Sequence, residues 1–309
     1  MQSQIFVVGS FIMGLTIEVS RLPVAGETLM GQNFNQDVGG KGFNQAMAAA
    51  RAGANVKILM CIGKDAFGTA AKKAMQKENI PEDHLHELEN VKTGCGFVTL
   101  MESGDNAIVI DAAANSKLSV AMVRKASDDI AKSAIVMAQL EIPGDSVEEA
   151  FMIAKAHDRI TILNPAPARK ISSGILTHTD FLTPNETEAK IILGISPGEE
   201  LPMEKIAEKL LQTGAKTIIM TRGREGASII TKKGIKNIPA PKIHVKDTTG
   251  CGDCFNGNFA KAISDGKTVE EAVYLAVYAG SYSAQHLGVS KGLPTAGELS
   301  QFIQTFAHR

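Results

Sequence analysis

The segment Asp247-Thr-Thr-Gly-Cys-Gly-Asp253-Cys-Phe-Asn-Gly-Asn-Phe259 concentrates glycines, two acids and two thiols within thirteen residues. Phe255, Phe259, Ala262 and Ile263 fall at i, i+4, i+7 and i+8, so a helix with one apolar stripe is expected to begin near Gly252. Gly250 and Gly252 then lie at its N-terminus, where free backbone N–H groups and the positive end of the helix dipole favour an anion such as phosphate. An acid placed there opposes anion binding unless it has a task, and accepting a proton from an attacking hydroxyl is such a task. Asp253 is the candidate. Two other readings use the same residues. The glycines make only a tight turn that Asp253 caps, or Cys251 and Cys254 form a CxxC redox pair at a helix start. No second cysteine pair exists to complete a zinc site.

A second cluster, Gly39-Gly-Lys-Gly42, precedes a helix-forming stretch from Asn44 that Gly53 ends. It is not a Walker A loop, because Lys41 comes before the last glycine and no Ser or Thr follows it. Lys41 and Asn44 can instead donate hydrogen bonds to the hydroxyls of a polyol; the other reading is a solvated lysine beside an ordinary helix start.

These residues need elements to hold them. Short β-branched apolar runs at 5, 56, 134, 160, 181 and 217 alternate with helix-period stretches at 44–52, 68–78, 146–156, 203–213 and 269–287. Such alternation predicts an α/β fold, a largely parallel sheet with helices on both faces. Two regions, at about 15–38 and 93–110, break the pattern with short strands and turns, and they are expected to form a small β lid over the carboxyl edge of the sheet. With neither repeat nor low-complexity linker, a single catalytic domain over 1–309 is the expectation.

Composition limits the partners. The chain has 309 residues, 44% hydrophobic and 21% charged, with 32 Lys plus Arg against 33 Asp plus Glu. Charge so balanced, without like-charge runs, argues against a nucleic-acid track or an anionic membrane surface and for a small-molecule substrate. Four scattered cysteines do not make a disulfide framework, so a reducing compartment, the cytoplasm, is expected. The apolar run from Ile5 to Leu15 lacks the basic start and cleavage site of a signal peptide and reads as a first strand. No run reaches the roughly 18 apolar residues of a membrane span.

Together these segments resemble the ribokinase family, the phosphofructokinase-B-type carbohydrate and nucleoside kinases. The resemblance runs through IFVVGS at the start, PVAGET at 23–28, GGKGFNQA at 39–46, IGKDAFG at 62–68, QLE at 139–141, NPAPAR at 164–169, TPNETEA at 183–189, TRGREGA at 221–227 and the Asp253 segment. It implies an ATP-dependent kinase acting on a pentose such as ribose. Asp253 is then the base, with the main-chain N–H groups of Gly250, Cys251, Gly252 and Asp253 supplying the anion hole. Gly40, Lys41, Asn44 and Glu141 face the sugar; Asn185, Thr221, Arg222, Gly223 and Gly226 line the nucleotide. Glu188 acts on Mg²⁺ indirectly, while Asp247 and carbonyls around Thr249, Ser283 and Gly288 hold a monovalent cation, K⁺. A homodimer through the lid is also implied. One departure concerns the substrate: ribokinases carry an Asn and an Asp shortly after the opening Gly-Ser, where this chain has Ile12 and Gly14. A nucleoside kinase of the same family is therefore the nearest rival, ahead of a CxxC redox protein or a nucleotide sensor without catalysis.

Overall fold

A parallel strand covered on both faces has no solvent side to alternate toward, so it reads as a continuous apolar run. The short runs expected at 5, 56, 134, 160, 181 and 217 each form a strand in the computed structural model, which describes residues 4–101, 103 and 106–307. The run from Ile5 to Leu15, expected as one strand, breaks after Val8 and resumes at Ile12 in a different sheet. In chain order the strands are β1 (Gln4–Val8), β2 (Ile12–Val19), β3 (Gln32–Gly39), β4 (Asn55–Gly63), β5 (Leu85–Leu88), β6 (Cys95–Met101), β7 (Asn106–Asp111), β8 (Ile135–Ala138), β9 (Ile160–Leu163), β10 (Phe181–Leu182), β11 (Thr217–Thr221), β12 (Ala227–Thr231) and β13 (Gly234–Ile238). Among the described residues the large sheet runs β13-β12-β11-β10-β9-β8-β1-β4-β5. From β5 to β11 its pairings are parallel, and β12 and β13 return antiparallel at one edge.

The helices are α1 (Lys41–Arg51), α2 (Ala66–Lys77), α3 (Val120–Lys125), α4 (Ser127–Lys132), α5 (Gly144–Ala156), α6 (Ser173–Thr177), α7 (Glu186–Ile192), α8 (Met203–Gln212), α9 (Cys251–Ser264), α10 (Val269–Ser283), α11 (Val289–Gly292) and α12 (Ala296–Ala307). They divide between the faces as the strand residues alternate. Ile5 and Val7 of β1 join a core with α1, α2, α9 and α10, whereas Phe6 and Val8 join a second core with α3, α4, α5 and α8. The expected α/β class with two helical layers is the observed one.

Boundaries differ in two informative places. The helix expected from Asn44 starts at Lys41, because Gly42 packs its Cα against the chain at Gly9 and Ser10, where a Cβ would come within 2.3 Å of Ser10 N. The helix expected to reach Leu287 stops at Ser283, since the Ala284 carbonyl accepts hydrogen bonds from the N–H groups of Lys246 and Asp247.

The strand-rich regions form a second sheet, β3-β2-β6-β7. It begins at Ile12, three residues before the expected 15, and residues 102, 104 and 105 of its second segment lie outside the described residues. Asn115 fastens its base, accepting from Phe11 N at 2.9 Å and donating to Phe11 O at 2.8 Å. By register, Phe97 stands opposite Val109 on one face, while Ile12, Gly14 and Asp37 share the other.

Candidate active site

Open parallel sheets place ligands beyond the carboxyl ends of their strands. Here β1, β8, β9 and β10 are neighbours, and the residues just past them bring Ser10, Gln139, Glu141, Asn164 and Thr183 along one edge. Helices α1 and α9 point their N-termini at the same edge. They cross so closely that a Cβ on Gly257 would lie 2.5 Å from Ala48 Cβ and 2.6 Å from Gln45 O.

Asp253 stands in the first turn of α9, buried at 6% exposure. Both of its oxygens are bonded to amides of α1: Asn44 Nδ2 donates to Oδ2 and Gln45 Nε2 to Oδ1, each at 2.9 Å. An ionised carboxylate in so dry a place requires such donors, since burying a charge unpaired is costly. Asn44 keeps its own Oδ1 buried and without a partner.

Gly250 caps α9 in the left-handed region, φ 76°, which glycine adopts without the penalty other residues meet. The N–H groups of Gly250, Gly252 and Asp253 find no carbonyl partner among the described residues. Cys251 N donates to Thr248 O at 3.3 Å. The open donors are therefore three of the four expected for an anion hole. Nothing lies within 4 Å of where a Cβ on Gly252 would stand, so a glycine there keeps the space in front of the N–H groups clear.

A cleft of about 190 Å³ opens from this point, lined by Lys41, Asn185, Glu188, Thr221, Gly250, Gly252 and Asp253 together with Asn164, Thr183 and Asn256. Lys41, expected at the sugar, also looks onto the phosphate side. Burial works against its ammonium, but Asp253, Glu141 and Glu188 outweigh that and hold its pKa above the ordinary lysine value. Glu141 accepts through Oε2 from Ser10 Oγ at 2.5 Å and from Lys41 N at 2.8 Å, and burial raises its pKa despite these bonds.

Asn185 and Glu188 close a capping box at the start of α7: Glu188 N donates to Asn185 Oδ1 and Asn185 N to Glu188 Oε2. Asn185 Nδ2 and Glu188 Oε1 are not used by the box. Burial pushes the Glu188 pKa up. Thr221 bridges to Asn185 at the end of β11, and Arg222 beyond it pairs with Glu186 and Glu225. Gly223 and Gly226 bound the tight turn into β12; a Cβ on Gly226 would sit 2.1 Å from Ile238 O, so strand packing alone requires that glycine.

Asp247 gathers the loop behind the anion hole, accepting from Thr249 N at 2.8 Å and Gly288 N at 2.9 Å. Ser283, on the last turn of α10, has a buried hydroxyl without a partner. This orphaned oxygen, one residue before the Ala284 carbonyl that takes the N–H groups of Lys246 and Asp247, fits a monovalent cation. For Mg²⁺ the fit is different in kind: among the described residues no three His, Cys, Asp or Glu cluster, and Glu188, with Oε1 unused by its capping box, lines the cleft together with Asp253. That suits an ion that keeps waters and takes phosphate oxygens.

The thiols do not resemble a reactive pair. Burial pushes Cys251 up to about 11 and Cys254 well above its usual value, and Cys254 Sγ is held against Ala279 O at 3.3 Å. A redox thiol needs the opposite shift. Ile12 and Gly14 lie at the lid base, Ile12 opposite Gly39 and Gly14 opposite Asp37. Asp37 is engaged by the N–H groups of Val38 and Ser290, with burial raising its pKa.

Sequence reasoning passed over Gln45, Asn164, Thr183 and Asn256. Thr183 Oγ1 donates to Asn256 Oδ1 at 2.6 Å, and Asn256 Nδ2 to Gly252 O at 2.8 Å, which fixes the first turn of α9 from below. The available signal was amides set among apolar neighbours, as in Gln45 before Ala-Met-Ala-Ala-Ala.

The model of the pfkB family of carbohydrate kinases matches residues 2–296. A ribokinase of Haemophilus influenzae is 37% identical, covering 98% of this chain and 99% of its own; one of Bacillus subtilis is 36% identical over 97% and 99%. The structure of Arabidopsis thaliana ribokinase complexed with ribose and ATP superposes with a TM-score of 0.91 at 27% identity, covering 98% of this chain and 99% of that one.

Proposed function

This chain belongs to the pfkB family of carbohydrate kinases, and on that premise we propose that it transfers the γ-phosphate of ATP to a primary hydroxyl of a pentose such as ribose. The observation that carries this reading is the Asp253 carboxylate, buried at the mouth of α9 beside three open main-chain N–H groups. The sugar hydroxyl attacks the γ-phosphorus as its bond to the β,γ-bridging oxygen breaks and ADP leaves, while the hydroxyl proton passes to Asp253. Charge building on the transferred group is met by the N–H groups of Gly250, Gly252 and Asp253 and by Lys41. Asn44 Oδ1 and the free oxygen of Glu141 are the acceptors that the remaining sugar hydroxyls meet.

Glu188, through water, would hold Mg²⁺, which would supply neutralising charge to the nucleotide phosphates. Asp247, Ser283 and carbonyls near Thr249 and Gly288 would hold K⁺, which would supply positive charge behind the anion hole. The lid serves as a dimer interface: Phe34, Phe97 and Val109 present an apolar surface that a second copy buries. The four free thiols fit a reducing compartment such as the cytoplasm.

At the lid base Ile12 and Gly14 offer a sugar no side-chain hydrogen bond, and Asp37 stands across from Gly14 on the next strand. An unmatched buried hydroxyl costs about 1–3 kcal/mol, so a pentose lacking or substituting a hydroxyl on that side should compete well with ribose. Gly14→Asn supplies the missing partner without setting a second carboxylate opposite Asp37, and it should lower the KM for ribose. No gain in that variant refutes the subsite reading alone. The test of the whole proposal is ADP release measured against pentoses, hexoses, sugar phosphates and nucleosides with Mg²⁺: pentose turnover is expected, and turnover of nucleosides alone would refute it.

A further inference from the structure

Asp253 is the base of the proposed reaction, and the role assigned to its neighbour Gln45 rests on that proposal. The carboxylate is held by two side chains of α1, of which Asn44 borders the sugar, whereas Gln45 is fully buried and does not line the cleft. Gln45 uses its whole amide. Nε2 donates to Asp253 Oδ1 at 2.9 Å and to Asn164 Oδ1 at 3.0 Å, and Oε1 accepts from Gln139 Nε2 at 2.7 Å. This fixes which way the amide faces, because a flip would turn Oε1 toward two oxygen acceptors and Nε2 toward a donor. Asn164 is held in turn, Nδ2 donating to Thr183 O at 3.2 Å.

We propose that Gln45 is a positioning residue for the base: oriented by Gln139 and Asn164, it fixes the plane of the Asp253 carboxylate and stabilises its charge. A carboxylate on a single-bond axis is free to rotate; donors at both oxygens remove that freedom. A base must meet the hydroxyl at hydrogen-bond distance, so rotation of its plane costs rate even where substrate binding is untouched. Gly257 serves the same end, since its missing side chain lets α9 approach Gln45. Gln45 touches neither substrate in this scheme, and its effect passes through Asp253.

Kinetics in two backgrounds test that indirect action. Gln45→Met keeps length and volume and removes the donors. A hydrogen bond to a charged group corresponds to about a tenfold to hundredfold effect on rate, so kcat should fall at least about tenfold while the KM for ATP moves less than about twofold. In an Asp253→Asn background the same substitution should cause no further loss. An equal loss in both backgrounds, or an unchanged kcat in the parent, overturns the proposal. Should Gln45→Met fail to fold, Gln139→Met one link further out is read in the same two backgrounds: a smaller loss of about threefold, confined to the Asp253 parent, is expected, and a loss in both or in neither overturns the proposal. Failure of the base reading itself is seen separately, as a near-normal rate in Asp253→Asn alone.

Discussion

At the mouth of α9 both carboxylate oxygens of Asp253 and the amide of Asn256 are held by bonds within the protein, whereas the lid sheet turns Phe34, Phe97 and Val109 to solvent at 60, 53 and 69% exposure. One region is a buried amide network crossed by two tightly packed helices; the other is a thin sheet fastened chiefly at Phe11 and Asn115. The contrast separates two tasks. Phosphoryl transfer demands fixed dipoles, and a fixed dipole in a dry site tolerates little change. The proposed dimer contact, by contrast, uses exposed lid side chains, where single substitutions usually cost under about 0.5 kcal/mol.

The comparison breaks first at Asp253. Asp253→Asn should leave melting temperature and ATP binding intact while kcat drops at least about a hundredfold, the lower range for loss of a general base; steady-state kinetics beside a melting curve decide it. Glu141 gives the next effect, of roughly tenfold for the loss of a charged acceptor. Because burial raises its pKa, it takes up a proton on acidification sooner than an ordinary glutamate, so kcat/KM should fall on the acid side and Glu141→Gln should remove that limb. The sign for stability runs the other way: the folded state holds this proton more tightly than the unfolded chain, so its contribution is present below the unfolded pKa and lost as pH rises through the folded one.

Exchange of sodium for potassium should raise the rate severalfold, on the order of one hydrogen bond's worth, and Ser283→Ala should blunt the response. Equal rates in the two salts remove the cation reading and leave the kinase intact. At the lid, Phe34→Glu should shift the chain toward monomer in sedimentation while kcat at saturating sugar changes less than about threefold, as for an exposed site; a large drop in kcat would mean that the two regions are not separable. Smallest is Cys251→Ala, expected to keep most activity because its sulfur faces Asp247 O at 3.8 Å and its N–H is already committed to Thr248.

The layered, largely parallel sheet was legible because apolar runs and helical periods are local signals, whereas the order of its strands was not. So was the helix carrying Asp253, to within one residue. What stayed hidden was pairing. Asn185 and Glu188 are close in sequence, yet their capping box is seen only once α7 is formed. Gln45 looks like one more residue of an alanine-rich helix until α9 is laid across it. The commitment of Cys251 N–H to Thr248, which removes one donor from the expected anion hole, depends on a turn geometry that glycine content alone does not specify.

The bond from Asn44 to Asp253 joins positions 209 apart along the chain. Contacts of such separation are slow to form, since loop closure must precede their reward. No early fragment of the chain contains both the base and the groups that hold it. Turnover is therefore a readout of long-range assembly: in refolding, return of activity should follow the docking of α9 on α1 and lag behind the recovery of helix signal.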